Sequence, residues 1–215
     1  ERFASEASDL LGNIDVWVNN AGVTQRTKRP IDQMEPKDIK RIISTNLLGT
    51  IFGSRAAIQA MKEKATDQKV KGHIFNVDGN GSRQNATPLG ACYGASKAAI
   101  PQLTKTLHRE ARSSQIGVHV ISPGMVTTDL LMAGNKNART LGILNILAEK
   151  PETAAEWLVP RIRGESTSKQ VTSSKYISYL TPPGVIWRFA TAKWRRDRLF
   201  NVKDEMEKQQ ANNNK

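Results

Sequence analysis

A tyrosine and a lysine four residues apart, Tyr93 and Lys97 in the run Tyr-Gly-Ala-Ser-Lys, carry the sharpest chemical signal in this sequence. Near the start of a helix, residues at that spacing share one face. A free tyrosine hydroxyl has a pKa of about 10, too high for efficient proton exchange at neutral pH. A neighbouring ammonium favours the phenolate and lowers that value. A tyrosine tuned in this way gives a proton to a carbonyl oxygen while hydride arrives at the carbonyl carbon. Standing alone, Tyr-x-x-x-Lys is more often a plain pair on a helix surface. The assignment therefore depends on what positions the pair.

Apolar runs alternate with helical patterns along the chain. Ile14 to Val18 reads as a short buried strand ending at Asn19-Asn20-Ala21-Gly22. A helical stretch from Pro36 to Lys64 follows, with Ile39, Ile42, Ile43 and Leu47 at helical spacing. His73 to Val77 is the next strand, running into Asp78-Gly79-Asn80-Gly81. The spacing of Ile100, Leu103, Thr104, Leu107 and Ala111 predicts a helix from Ala91 to Ser113. Val118 to Ile121 forms a third strand, ending at Ser122-Pro123-Gly124. A fourth is expected at Tyr176 to Leu180, closed by Pro182-Pro183. Met125 to Lys150 reads as loop and short helix. A further helix runs from Pro151 to about Ile162, with Gly164 at its end.

This alternation predicts an α/β fold, a doubly wound parallel sheet with helices on both faces. Ligands of such sheets bind beyond the carboxyl ends of the strands. The junctions there are small, polar and glycine-rich, as backbone lying close to a ligand requires. Residues 1–184 read as one domain, 185–203 as a basic amphipathic segment and 204–215 as a disordered tail.

Composition bounds the rest. The 215 residues suffice for one domain with a substantial core, and 38% hydrophobic with 24% charged residues is the balance of a globular protein. No apolar run approaches the ~20 residues of a membrane span. Cys92 is the single cysteine, which excludes an intramolecular disulfide. The formal charge of +12 is read first as a solvated basic surface, then as attraction to an anionic membrane or an acidic partner. Nucleic acid is disfavoured because no zinc-finger spacing, RNP-type aromatic motif or helix-turn-helix signature accompanies the charge. No metal ligands are expected. The chain opens with Glu1-Arg2-Phe3 rather than Met and reads as cut from something longer.

Taken in order, Asn19-Asn20-Ala21-Gly22, Thr45-Asn46, Tyr93-x-x-x-Lys97 and Pro123-Gly124 resemble the short-chain dehydrogenase/reductase family from residue 1 to about 182. The resemblance implies a Rossmann-like domain and an NADPH- or NADH-dependent oxidoreductase. It implies that Tyr93 is the general acid, and that Lys97 holds the nicotinamide ribose and lowers the Tyr93 pKa. Asn46 would anchor a proton-relay water. Asn20, Ala21 and Gly22 would line the adenosine-ribose side, and Pro123, Gly124 and Thr127 the nicotinamide end. Dimers or tetramers through the two long helices, with copies of this chain or of a relative, are implied as well.

Three features depart from the family pattern. Its Gly-rich phosphate loop is not in the sequence, so two or more strand–helix units, roughly 60–80 residues at about 30 each, are expected upstream. Its catalytic serine is not in the usual place. The strand alignment puts Gly79 there, counting back from Tyr93 points nearer Asn80, and Ser82 is the nearest hydroxyl. Ser82 serves if the loop folds back; otherwise backbone amides or Asn80 polarise the carbonyl. Asp78 is expected to form an Asx turn, with a polar contact to substrate as the alternative. Finally, Pro101 lies inside the Tyr93 helix and would free the carbonyl of Lys97.

Narrower segments, Gly72 to Ser82, Thr87-Pro88-Leu89, Ser122 to Met132, Leu147-Ala-Glu, Leu158 to Arg163 and Tyr179 to Pro183, look like chlorophyll b reductases. These reduce the formyl group of chlorophyll b to hydroxymethyl. The resemblance implies a plastid enzyme at the stroma or thylakoid surface, acting on chlorophyll(ide) b. Another bulky apolar carbonyl (sterol, quinone or acyl ketone) and a non-catalytic association subunit are the competing readings. The apolar stretch Met125 to Leu147 would be a lid over a flat ring, or an ordinary helix packed on its own domain. Val185 to Phe200 combines Ile186, Trp187 and Trp194 with Arg188, Lys193, Arg195, Arg196 and Arg198. It would contact a membrane or antenna complex, or dock on its own domain.

Overall fold

The computed structural model describes residues 2–63, 69–133, 137–204 and 207. By internal contacts the chain divides into two compact units, residues 1–122 with 158–177 and residues 123–157 with 178–215. Of the expected tail, only Asp204 and Glu207 are among the described residues; the rest of 204–215 lies outside them.

The first unit is built on a four-stranded sheet in the order β1-β2-β3-β4, comprising β1 Val16–Asn19, β2 Gly72–Val77, β3 Ile116–Ser122 and β4 Tyr176–Ser178. β1 pairs parallel with β2, Trp17 opposite Ile74. β2 pairs parallel with β3, Ile74 opposite Val118. The parallel pairs are joined by helical crossovers: α2 Pro36–Ile43 and α3 Gly49–Glu63 between β1 and β2, and α4 Ala91–Ala111 between β2 and β3. α1 Arg2–Leu11 precedes β1. β2 and β3 are buried along nearly their whole length on both faces, which explains their continuous apolar runs.

On one face Ile74 and Val118 pack with Ala57 and Met61 of α3 and Ala111 of α4. The Ile74, Val118 and Met61 side chains each contribute about 1.5–3 kcal/mol on burial. The same face carries a polar chain towards the strand ends. Asn19 donates to Asn76 (2.8 Å) and Ser54 (3.0 Å), and Asn76 donates to Thr104 (2.9 Å). These groups satisfy one another, so β1, β2, α3 and α4 are fixed in one register. On the other face His73 and His119 stack and share a 2.9 Å hydrogen bond. Lys175 N–H donates to His119 Nδ1 (3.1 Å), so His119 Nε2 carries the proton and His73 Nδ1 accepts it.

The helices differ in detail from the sequence reading. The helix expected from Pro36 to Lys64 is interrupted by a π-helical turn, Ser44–Leu48, in which the Gly49 N–H reaches back five residues to the Ser44 carbonyl. Such wide turns cluster at functional sites, and this one carries Asn46. α4 runs unbroken through Pro101. The helix after Lys150, α7 Pro151–Ser166, continues through Pro160 and past Gly164.

The second unit contains α5 Asp129–Met132, α6 Ala138–Leu147 and α8 Pro182–Ala190. Leu141, Leu144 and Ala148 form its core with Met125, Leu131, Met132, Leu199, Phe200 and Val202. Met125, Leu131, Met132, Leu141 and Leu144 of the lid candidate thus have partners inside this unit, while Ile143 is exposed. Asn145 pins the C-terminal segment, accepting from Leu199 N–H (2.8 Å) and Phe200 N–H (2.9 Å) and donating to the Phe200 carbonyl (2.8 Å).

The basic segment is largely internal to the same unit. Glu149, 6% exposed, meets Arg188 (3.0 Å), Arg195 (2.7 Å) and Arg198 (2.6 Å). The three guanidiniums also cap the end of α6, donating to the carbonyls of Leu147, Ile146 and Ala148 respectively. Orphan carbonyls and the negative end of the helix dipole favour cations there. Burial pushes the Glu149 carboxyl up, but the hydrogen bonds from Arg198 and Arg195 and the Arg198 and Arg188 charges outweigh it and hold it below its usual value. Arg188, Arg195 and Arg198 are therefore fold-holding residues.

Candidate active site

The carboxyl ends of β1 and β2 and the first turns of α4 bring the chemistry together. β1 delivers Asn20, Ala21 and Gly22; the π turn delivers Asn46; β2 delivers Asp78 and Gly79; α4 delivers Tyr93 and Lys97. A Cβ placed on Gly22 would stand 3.6 Å from Lys97 Nζ and 3.7 Å from Asn46 Oδ1. A Cβ on Gly79 would stand 2.5 Å from Tyr93 Oη and 3.3 Å from Lys97 Cγ. Glycine is required at 79 for that close approach. At Gly81 the backbone is left-handed (φ +96°), and the loop after β2 folds back onto Gly94 of α4.

Asn46 is fully buried and its side chain is committed. It accepts from Val23 N–H (2.8 Å) and donates to the Val23 carbonyl (2.9 Å) and Ser96 Oγ (3.0 Å). It clamps the chain just after Gly22 to the helix that carries Tyr93. Gln25, also buried, donates to the Leu89 carbonyl and ties the same loop to the approach to α4. Sequence reasoning missed Gln25, because a lone glutamine in a polar loop carries no positional signal.

Lys97 is 5% exposed and donates to the Val77 carbonyl (3.1 Å). Burial pushes its pKa down, and the Asp78 charge opposes that. Tyr93 moves the other way from expectation. Burial, and secondarily the Asp78 carboxylate, push its hydroxyl up to about 12. The expected lowering by Lys97 is outweighed, because the tyrosine is largely desolvated and a carboxylate stands on the same side. No side chain among the described residues takes up the Tyr93 hydroxyl in a hydrogen bond.

Ser82 and Asp78 behave differently from the reading above. The Ser82 hydroxyl donates to Asp78 Oδ2 (2.9 Å), so its only proton is committed to the carboxylate. Asp78, 4% exposed, also accepts from the Tyr176 hydroxyl, 98 residues away in sequence. Its bonds run to side chains in place of the expected Asx turn, and Oδ1 has no hydrogen-bond partner. Tyr176 was not legible as a site residue. Only the sheet order, with β4 beside β3, brings it there.

Pro123, Gly124 and Thr127 belong to the second unit. Gly124 is left-handed (φ +75°), and the Thr127 N–H donates to the Glu149 carbonyl (2.9 Å). Chemically, the first unit offers a protonated phenol with a free hydroxyl, a buried lysine beside it, and a glycine-lined approach at the ends of parallel strands. That arrangement suits proton delivery to a carbonyl oxygen.

Comparison with known proteins bears on the family and the fold. The family model described as short chain dehydrogenase matches residues 1–139. The probable chlorophyll(ide) b reductase NYC1 of Oryza sativa subsp. japonica is 42% identical over 94% of this chain and 38% of its own length. The chlorophyll(ide) b reductase NOL of the same plant is 40% identical over 81% of this chain and 50% of its own. The chain thus spans half or less of these two relatives' length. Both names carry the word chloroplastic. A solved 3-ketoacyl-(acyl-carrier-protein) reductase of Brucella melitensis, complexed with NADH, superposes with a TM-score of 0.65. It is 24% identical, covers 81% of this chain and 69% of its own, and shares the parallel-sheet fold. The family model that matches residues 1–139 places this chain in the short-chain dehydrogenase family.

Proposed function

We propose that this chain carries the proton-transfer centre of a nicotinamide-dependent reductase that converts the formyl group of chlorophyll(ide) b to hydroxymethyl. The observation that carries the reading is the identity of about 40% to chlorophyll(ide) b reductases over most of this chain, with Asn46, Tyr93 and Lys97 gathered as a carbonyl reductase requires.

NADPH or NADH fits the residues present. Gly22 lies beside Lys97 Nζ and Asn46, where a Cβ would reach ordinary contact at 3.6 and 3.7 Å and a longer side chain would add bulk. Lys97 would hold the ribose hydroxyls, and Asn20, Ala21 and Gly22 the adenosine side. The cofactor, when bound, supplies the hydride. Tyr93, protonated throughout the neutral range, gives its proton to the oxygen that gains charge as the formyl carbon is reduced. Lys97 then faces a phenolate and stabilises it. With Gly79 beside the hydroxyl and the Ser82 proton committed to Asp78, carbonyl polarisation falls to Tyr93 and to backbone amides of the Gly79–Ser82 turn.

A plastid location and contact with a membrane or antenna complex belong to the same reading. Ile186, Trp187 and Trp194 are 70–80% exposed, and Lys193 and Arg196 are exposed near them in sequence. This composition suits an interfacial surface. No helix among the described residues is long and apolar enough to cross a membrane. An oligomer paired through α3 and α4 is part of the proposal, supported by the exposed Phe52 on α3.

The test gives full-length protein NADPH with chlorophyll b or chlorophyllide b and separates the products by chromatography. A 7-hydroxymethyl product supports the reading. Failure on both pigments beside good turnover of a sterol, quinone or acyl ketone transfers it to those carbonyls. Trp187→Ala with Trp194→Ala should lower turnover of membrane-embedded pigment several-fold more than of detergent-dispersed pigment. Equal loss on both would remove the membrane contact.

A further inference from the structure

The loop after β2 contains a buried carboxylate that the reductase reading does not use. Asp78 directly precedes Gly79, whose Cα faces the Tyr93 hydroxyl. Asp78 is 4% exposed and accepts through Oδ2 from Ser82 (2.9 Å) and Tyr176, while Oδ1 is buried without a hydrogen-bond partner. Burying a carboxylate costs several kcal/mol unless it is compensated. Two hydroxyl donors compensate it only in part, so the charge has a use in this position or is expensive without one.

The groups that face it can be named element by element. α4 contributes Lys97 and Tyr93. The loop after β2 contributes Arg83, whose guanidinium sits 5.6 Å from the Tyr176 ring centroid, and Ser82. β4 contributes Tyr176. The chain after β1 brings Gly22 to Lys97 Nζ and Asn46, and no titratable group of it is seen against Asp78 among the described residues. Lys97 and Arg83 are the cations of this set, and Lys97 spends one donor on the Val77 carbonyl.

We propose that Asp78 is a positioning residue for Tyr93: with Ser82 and Tyr176 it anchors the Gly79–Ser82 turn against the Tyr93 hydroxyl, and it sets a carboxylate in the loop that meets this hydroxyl. A negative charge beside a phenol opposes its ionisation and favours a nearby ammonium. The influence of Asp78 on both groups runs in those directions. The carboxylate raises the pH at which the phenol gives up its proton, against the opposite pull of Lys97. The consequence for turnover rests on the reductase reading above; the effect on Tyr93 itself does not.

Two measurements on the full-length protein separate these. The first is an ultraviolet tyrosinate titration without cofactor or substrate, comparing each variant with its Tyr93→Phe partner to isolate the Tyr93 signal. Asp78→Asn should bring Tyr93 ionisation down measurably, by less than about one pH unit because burial remains the larger cause, and Asp78→Glu should leave it close to the parent. The second is the pH profile of pigment reduction, where Asp78→Asn should move the alkaline limb to lower pH by a similar amount. If Asp78→Asn fails to fold, Asp78→Ser is uncharged, smaller and carries the same expectation. Unmoved Tyr93 ionisation in a folded, charge-free variant would overturn the proposal. A moved ionisation in a protein that reduces neither pigment would keep the proposal and overturn the substrate reading.

Discussion

Adding one methyl group at Gly79 should cost this protein most of its activity while leaving its fold intact. The Cβ of Gly79→Ala would fall 2.5 Å from Tyr93 Oη, and ordinary contact begins at 3.4 Å, so the hydroxyl must move by 3.4 − 2.5, about 0.9 Å. The same Cβ would also stand 3.3 Å from Tyr93 Cζ and from Lys97 Cγ, so the ring and the lysine stem must give with it. A displacement of about 1 Å in a reacting group costs on the order of a hundredfold. At about 1.36 kcal/mol per tenfold this is about 2.7 kcal/mol of transition-state stabilisation. The assay follows consumption of reduced nicotinamide with chlorophyllide b in full-length protein, beside cofactor fluorescence titration and thermal unfolding. kcat/KM should fall about a hundredfold, with cofactor affinity within a few-fold of the parent and melting little changed. Gly79→Ser, which restores the residue type usual for the family, should lose at least as much. Parental kcat/KM in folded Gly79→Ala would refute the claim that the Tyr93 hydroxyl reacts from the position described.

Two further outcomes follow from the buried charge and the buried imidazoles. Glu149→Gln leaves Arg188, Arg195 and Arg198 without their shared carboxylate, and should destabilise the protein by about 3 kcal/mol in denaturant titration; loss below about 0.5 kcal/mol would show that the arginines find water instead. Burial lowers His73 to about 4, and burial with the neighbouring His73, His108 and Lys175 charges lowers His119 to about 3, both from 6.5. The unfolded chain therefore takes up protons first, so this stability is complete above about pH 6.5 and is lost as pH falls towards 4. The slope reaches at most about 1.4 kcal/mol per pH unit for each imidazole. Melting followed across that window should show it, His119→Gln should shallow it, and a flat parental profile would contradict it.

The sequence carried the sheet and the tyrosine–lysine pair because both rest on local periodicity: β2 and β3 are continuous apolar runs, and Tyr93 and Lys97 are one helical turn apart. Asn46 was legible by motif, but the π turn that buries it was not, since nothing in Ser-Thr-Asn-Leu-Leu departs from helical composition. The contacts that escaped are long-range and polar. Tyr176 meets Asp78 across 98 residues, and the arginines of the basic segment meet Glu149 across 39 to 49, as 188 − 149 and 198 − 149. Charge counted along a chain shows how many cations there are, and only the fold shows which already hold an anion. The Tyr93 pKa went astray for the same reason: the lysine was visible in the motif, while the desolvation and the Asp78 carboxylate that outweigh it arise from packing.

The central claim is that Tyr93 delivers the proton to a pigment formyl group. It is tested most directly by Tyr93→Phe in the full-length protein, with NADPH and chlorophyllide b, product measured by chromatography and cofactor binding measured on the same sample. The account predicts a 7-hydroxymethyl product from the parent and nearly none from Tyr93→Phe, with NADPH binding retained. Undiminished product from Tyr93→Phe would contradict it.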